Sequence, residues 1–481
     1  ETELAKRVVH HILGKGYQVT PQLLDKLLKT KNPVETCSQL LENTGPEDIL
    51  LVELPTEKKE KKSIETPEEE APPIHIIQDV TTNSTCTGCY EDFLHLFQDR
   101  YKQLADILSV RPGNPPTQIS RLPSQGEAYL IGMVTDKRVS KGRDEPITFL
   151  TLEDPTGQVD VLLPPTIPEN HVAQIVLDEV IGVRVEHRNN IPIAREVFFP
   201  DLPARNRHPR TEKDVGVLML SDLHVGSIKF LEEEFNRMLD WLNMENGDKK
   251  QREQAMTVKY VVICGDLVDG VGVYPEQEEE LKIDDIYQQY EKAASLLSKI
   301  RRDIRIVVAP GNHDAVRGAE PQPAIPPEVA QPLYDLPNLT MVGNPATLEL
   351  HGIRFLLYHG QSLGDLVETI PGQSLDKPSE TMKIQLRKRH LAPTYGRHTV
   401  LAPERKDYHV IHQVPDVFHS GHLHINSYST YRGVVIVNSG TWQSQTSYQK
   451  KRNITPTPCR APLLNLKTMK ITELNFSSQG S

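Results

Sequence analysis

Cysteine is scarce in this chain, with five in 481 residues. That excludes the disulfide framework of a small secreted domain. Cys86-Thr-Gly-Cys89 is a lone CxxC; a zinc or redox site would need a second pair or a thioredoxin-like context, and neither is visible. Cys264 sits inside an apolar run and reads as core. No run approaches the ~20 apolar residues that a membrane span requires, and no secretory apolar segment stands near the start. The expected setting is therefore intracellular, cytoplasmic, with no membrane partner. A basic surplus is also missing. The net charge of −11 is not the balance of a stand-alone nucleic-acid binder. Part of the excess lies in an acidic tract and in the aspartates discussed below, so a local basic surface remains open.

The content of 37% hydrophobic and 25% charged residues is enough for ordinary soluble cores. The length suggests two to four domains at ~150 residues each. Residues 1–53 read as a small helical module. Leu4, Val8, Val9, Ile12 and Leu13 follow helical spacing, and Thr20-Pro21 opens a second helix. Such a module suits protein or DNA contact equally. Residues 54–73 are Pro, Lys and Glu with almost no apolar side chains, the composition of a disordered charged linker. Residues 74–120 form a helical connector, with Phe93, Leu94, Phe97, Tyr101, Leu104 and Ile107 along one side of a helix over 90–108. Residues 121–205 carry short strands with Gly-containing turns and suggest an OB-type barrel. Its candidates for stacking a nucleic acid are Tyr129 and Phe149, which could equally be core. From 206 to 481, β-runs alternate with helical stretches (Glu232 to Met244, Asp284 to Arg302), which indicates an α/β sandwich. The fold class is thus multidomain α+β.

Five β-runs in the last region end alike. Val217-Leu-Met-Leu-Ser leads to Asp222-Leu-His224. Tyr260-Val-Val-Ile-Cys-Gly leads to Asp266-Leu-Val-Asp269. Ile304 to Gly311 leads to Asn312-His313-Asp314. Phe355-Leu-Leu-Tyr leads to His359-Gly360, and Val417-Phe-His-Ser-Gly leads to His422-Leu-His424. A buried parallel strand reads as a continuous apolar run, and on a strand residues i and i+2 share a side, so Asp222 and His224 are expected to face one ion. Oxygen and imidazole donors without thiolate suit Mn²⁺, Fe²⁺ or Zn²⁺. Two ions about 3.5–4 Å apart can clamp a phosphodiester.

The order Asp-x-His, Gly-Asp-x-x-Asp, Gly-Asn-His-Asp, His-Gly, Gly-His-x-His resembles the calcineurin-like metallophosphoesterase superfamily. The resemblance implies that Asp222, His224 and His424 hold one ion, that Asp266 bridges, and that Asn312, His359 and His422 hold the second. It makes His313 the catalytic residue that stabilises the transition state or protonates the leaving oxygen. It makes Asp269 and Asp314 orienters of ligands or of His313. No ligand position is missing, so the resemblance implies activity.

Three further strings narrow the family: Gly265 to Leu281, Arg389-His-Leu-Ala-Pro-Thr-Tyr-Gly396 and Asn438-Ser-Gly-Thr-Trp-Gln-Ser-Gln-Thr446. With a preceding barrel, they resemble the small subunits of archaeal family D DNA polymerases, from about residue 120 to the end. That resemblance implies a proofreading 3′→5′ exonuclease with two divalent ions, Mn²⁺ before Fe²⁺ or Zn²⁺. It implies a large catalytic subunit as heterodimer partner, single-stranded or mismatched DNA 3′ ends as substrate, the sliding clamp as a further contact, and a place with the nucleoid in DNA replication. Lys383, Arg387, Lys388 and Arg389 are candidate DNA contacts, or an ordinary solvated helix. A non-catalytic scaffold subunit and a metal-dependent phosphomonoesterase are the competing readings.

Overall fold

The computed structural model describes residues 72–110, 115–141, 146–188, 191–204, 209–451 and 453–478, with Val8, 27–29 and 32–36 before them. The expected helical module over 1–53 and charged linker over 54–73 fall almost wholly outside the described residues.

The described chain opens with strand β1 (Ile74–Gln78), followed by helix Tyr90–Ser109. A barrel comes next, made of β2 (Gly126–Lys141), β3 (Pro146–Asp154), β4 (Gly157–Leu163), β5 (Val180–Arg188) and β6 (Ile191–Phe198). It closes in the order β2-β3-β4-β6-β5. Leu130, Val134, Leu150, Leu152, Val161 and Val183 fill it. β6 was not expected, because Pro192, Arg195 and Glu196 break its apolar pattern. Tyr129 proves to be core: it is buried, packs beside Leu104 and Leu108, and its hydroxyl donates to the Leu108 carbonyl.

The remaining strands are β7 (Gly216–Leu220), β8 (Val258–Cys264), β9 (Arg305–Ala309), β10 (Leu339–Met341), β11 (Ala346–Leu350) and β12 (Ile353–Leu357). Then come β13 (Val417–Ser420), β14 (Asn426–Tyr431), β15 (Val434–Ser439), β16 (Arg460–Asn465) and β17 (Lys470–Asn475). They form two six-stranded sheets, β10-β9-β8-β7-β16-β17 and β1-β11-β12-β13-β15-β14. β1 is therefore not part of a helical connector; it pairs antiparallel with β11 as the edge of the second sheet.

Alternation along the strands explains the layering. Val217, Met219, Tyr260 and Val262 meet Phe355, Leu357, Val417 and Val435 between the sheets. Leu218, Leu220, Val261 and Ile263 point the other way, onto helices Glu232–Leu242 and Ile286–Leu297. Leu356, Tyr358, Phe418 and Ile436 likewise face helix Pro378–Lys388. Strands buried on both faces need apolar residues at every position, which is the run-like pattern seen in the sequence.

Helix Tyr90–Ser109 buries Asp92, Leu96, Arg100, Leu104 and Leu108, one every four residues. The buried stripe is thus turned from the expected face, and Leu94 is exposed. The turn follows from Arg100, whose Nε lies 2.7 Å from an Asp407 carboxylate oxygen while Nη1 donates to the Asp178 and Pro393 carbonyls. A fully buried arginine held by a carboxylate and carbonyls fixes the helix between barrel and sandwich.

Candidate metal centre

β7, β8 and β9 run parallel, as do β12, β13 and β15. Their carboxyl ends lie on one edge of the sandwich, and all but β15 deliver a ligand-type residue two or three positions later. Asp222 and His224 have left the strand when they meet. Both adopt left-handed backbone, φ 51° and 53°, as do Asp266 (50°), His422 (69°) and His424 (59°). The i, i+2 strand geometry expected for Asp222 and His224 is therefore replaced by a curled loop. Non-glycine residues held there carry strain, and such strain collects at functional sites. The loops are pinned to one another: the Asp222 amide donates to the Gly265 carbonyl and the His224 amide to the Asp266 carbonyl, at 3.0 and 3.1 Å.

Glycine is required where the loops close in. Gly265 has φ 90°, and a Cβ on it would strike the His359 ring. At Gly311 a Cβ would strike the Asp266 carboxylate.

Two groups of donors result. Asp222, His224 and His424 bring their ligand atoms within 4.8 Å of one another, and so do Asp266, His359 and His422. Asp266 stands between them, with Oδ2 3.2 Å from His359 Nε2 and 3.8 Å from His224 Nε2. Asn312 joins the second group, its Oδ1 3.1 Å from His359 Nε2. His313 also lies close: His224, Asp266 and His313 make a third such group, and its ring stands 4.7 Å from that of His224. Its Nδ1 donates to the Asp269 carbonyl at 2.7 Å, and its amide donates to Asp266 Oδ1. The seven ligand-type residues and His313 are thus gathered in one place.

Charge is crowded here. Burial opposes the charge on His359, yet the Asp266 and Asp222 carboxylates outweigh it and hold the imidazole up at about 10. Burial raises the Asp266 carboxyl, but His359 and His313 pull it well below the usual carboxylate range. His422 is pushed down to about 3 by burial and by His359.

Asp269 and Asp314 play different parts. Asp269 Oδ1 lies 2.9 Å from His224 Nδ1. Asp314 touches none of the ligand side chains by hydrogen bond. Its carboxylate accepts from the Leu267, Val268 and Gly311 amides and from Tyr290 Oη, tying the second and third loops together. Burial and then the charge of Asp266 push its carboxyl up to about 6.

Three glutamines complete the site. Gln277 and Gln443 each send Nε2 to Asp269, at 3.1 and 2.9 Å. Gln449 Nε2 stands 2.8 Å from His424 Nδ1. Gln277 and Gln443 lie inside two of the strings that carry the family resemblance, but no Asp or His motif spacing assigned any of the three a role at the cluster.

The candidate DNA contacts are mostly turned inward. Lys388 is buried and donates to Glu179 and to the Gln174 carbonyl. Arg389 is buried and donates to the Ile411 and His412 carbonyls. Arg387 lies over Phe199, 4.4 Å from the ring centre. Arg387 and Lys388 hold the sandwich against the barrel region, while Arg389 braces the sandwich's own chain at Ile411 and His412; Lys383, paired with Glu380 at 2.6 Å, is partly exposed. At the expected CxxC, Cys86 and Cys89 are free thiols; Cys86 faces Glu404 at 3.2 Å and Cys89 is exposed.

Fold and site together define an α/β sandwich with a buried aspartate–histidine cluster suited to divalent cations. A family model for the B subunits of DNA polymerases alpha and epsilon matches residues 217–429. The DNA polymerase II small subunit of Methanothermobacter thermautotrophicus is 39% identical over 97% of this chain and 100% of its own length. That of Archaeoglobus fulgidus is 39% identical over 94% of both chains. The chain belongs to the family of archaeal DNA polymerase II small subunits. Among solved structures, an archaeal phosphodiesterase overlaps 54% of this chain and 99% of its own at 14% identity, with a TM-score of 0.28, a likeness too slight to bear on function.

Proposed function

We propose that this chain is the 3′→5′ proofreading exonuclease of a two-subunit replicative DNA polymerase, acting with two divalent ions on DNA phosphodiesters. The observation that carries the reading is Asp266, a carboxylate set between two groups of ligand-type side chains. The donor set fits cations: it offers oxygen and imidazole but no thiolate. An imidazole ligates as the neutral ring, so a cation bound at His359 would displace any proton on its ligating nitrogen. Asp222, His224 and His424 with Asp266 would hold one ion, and Asp266 with Asn312, His359 and His422 the other; Mn²⁺ is the first choice, ahead of Fe²⁺ and Zn²⁺. Bound ions would supply charge neutralisation at the phosphodiester and an acidified water for attack.

The chain's own residues do the rest. Asp269 accepts a hydrogen bond from His224 Nδ1–H, which turns Nε2 inward as a lone-pair donor. His313 donates a hydrogen bond from Nδ1–H to the Asp269 carbonyl, which leaves Nε2 to hold or give a proton at the leaving oxygen. In this reading residues 206–481 are a calcineurin-like phosphoesterase domain. The barrel (121–205) is of OB type and helps dock a large catalytic subunit, which supplies much of the grip on DNA. The inward-turned Lys388 and Arg389 support that division of labour.

The test is Mn²⁺-dependent degradation of a 5′-labelled single-stranded oligonucleotide, wild type beside Asp222→Ala and His313→Ala. A ladder shrinking from the 3′ end and lost in both variants is expected. No shortening, with or without the large subunit, sinks the reading in favour of a scaffold. Faster hydrolysis of a phosphomonoester dye than of a phosphodiester dye would favour a phosphomonoesterase.

A further inference from the structure

One loop beside the cluster has a composition that phosphodiester chemistry does not require. It runs from Gly270 to Glu280 and holds Val-Gly-Val-Tyr-Pro followed by Glu-Gln-Glu-Glu-Glu. It is anchored firmly. The Gly270 amide donates to Gln289 Oε1 at 2.9 Å and the Val273 amide to Gln277 Oε1 at 2.8 Å. Gln277 is buried and reaches back to Asp269, which holds His224. The turn from Gly270, φ 77°, folds the loop against the His313 backbone, where a Cβ would collide with the carbonyl.

What the loop displays is of two kinds. Val271 and Val273 are 44% and 38% exposed, and the nearby Ile228 is 51% exposed. The Tyr274 ring stands 6.1 Å from the His313 ring, edge-on. Next to this apolar ledge is a short turn, Gln277–Glu280, that exposes Glu278 and Glu279, with Glu276 exposed just before it. Lys282, at the far end of the turn, faces Glu232 at 4.0 Å. The amide of Ile228 bonds the Glu280 carbonyl, which sets Ile228 beside the acidic turn, and the Tyr274 hydroxyl donates to the Glu280 carboxylate, which ties the apolar part of the loop to that turn.

A nucleobase has an apolar face that stacks on such a ledge. A phosphate backbone meets repulsion at an acidic one. We propose that the Gly270–Glu280 loop is the chain-end stop of this site: Val271, Val273 and Tyr274 seat the terminal base, and Glu276, Glu278 and Glu279 bar a continuing backbone. The loop thereby restricts cutting to strand ends. This rests on the phosphodiesterase reading above, and explains why such a centre acts as an exonuclease and not an endonuclease.

The test compares the full chain with the triple variant Glu276→Gln/Glu278→Gln/Glu279→Gln, in Mn²⁺, on three substrates: a phosphodiester dye, a linear single-stranded DNA and the same DNA circularised. The three glutamates are exposed and none is hydrogen-bonded or ion-paired to a ligand residue, so dye hydrolysis should be retained. The wild type should degrade the linear strand and spare the circle. The variant should cut the circle, gaining about tenfold or more over wild type. Val271→Ser/Val273→Ser should raise KM for the linear strand about tenfold and leave dye hydrolysis unchanged. Wild type that cuts circle and line alike, or a variant that still spares the circle while hydrolysing dye, overturns the proposal. If neither protein hydrolyses dye or DNA, the phosphodiesterase reading itself has failed and the stop falls with it.

Discussion

Asp269 accepts a hydrogen bond from His224 Nδ1–H at 2.9 Å, and its two oxygens are further held by Gln443 and Gln277. Its partners come from three stretches of chain: the loop after β7, the loop that carries Asp269 itself, and the stretch after β15. Asp269→Asn keeps the shape but offers an amide nitrogen or a weaker acceptor to His224. We expect Mn²⁺ affinity to fall about 10–100-fold, read by calorimetry, with little change in the circular dichroism spectrum. Unchanged affinity would mean that His224 is oriented by its loop alone.

Gly265 can be tested without replacing a ligand. Its φ of 90° and the closeness of the His359 ring leave no room for a Cβ. Gly265→Ala combines backbone strain with displacement of His359, and should cost about 3 kcal/mol or more of stability. Denaturant unfolding measures it. A loss under about 1 kcal/mol would show that the loops can part easily.

His390 predicts a pH dependence. It is buried, with Nε2 2.9 Å from Asp407 and Nδ1 accepting from the Ala392 amide. Both nitrogens are satisfied by the neutral ring. Burial and the nearby Arg100 charge hold its pKa down at about 4, despite Asp407. A depressed histidine binds more protons unfolded than folded, so stability is lost as pH falls from about 6.5 to about 4. That loss is on the order of 3 kcal/mol for this one group. The variant His390→Gln lacks it. Its stability deficit against wild type at pH 7 should therefore shrink by roughly that amount at pH 4. A deficit that stays constant across the range would contradict the account.

The Arg100–Asp407 pair makes a fourth prediction. Both side chains are fully buried. Arg100→Met strands a buried carboxylate and should destabilise by about 3–5 kcal/mol. Arg100→Met with Asp407→Asn should recover part of it, since the uncompensated charge is gone. Equal losses in the single and double variants would show that packing of the helix matters more than the charge.

The strands that carry the site were legible because each is buried on both faces, which forces an unbroken apolar run before the ligand. The ligand residues were legible because Asp, Asn and His follow those runs beside glycines. Local spacing could not show how they converge. Asp222 and His224 meet through left-handed loop backbone, where strand alternation predicted the right neighbours for the wrong reason. The roles of the glutamines were not legible: Gln277 lies eight residues beyond Asp269, while Gln443 and Gln449 come from the far end of the chain, and only folding brings them to Asp269 and His424. Charge misled at Lys388 and Arg389. A lysine in a sequence suggests solvent, and nothing nearby announces that Glu179, some two hundred positions earlier, will meet it in the interior. Strand β1 hid for the opposite reason. It is short, half exposed and distant from its sheet, and its pairing with β11 is a purely long-range fact.

The central claim is that Asp266 is shared by two cation sites. Its most direct test is anomalous diffraction at the manganese edge from crystals soaked in Mn²⁺. The account predicts two peaks flanking the Asp266 carboxylate, one beside Asp222 and His424 and one beside His359 and His422, both lost in Asp266→Ala. No peak in the cluster, or a single peak unaffected by that substitution, would contradict it.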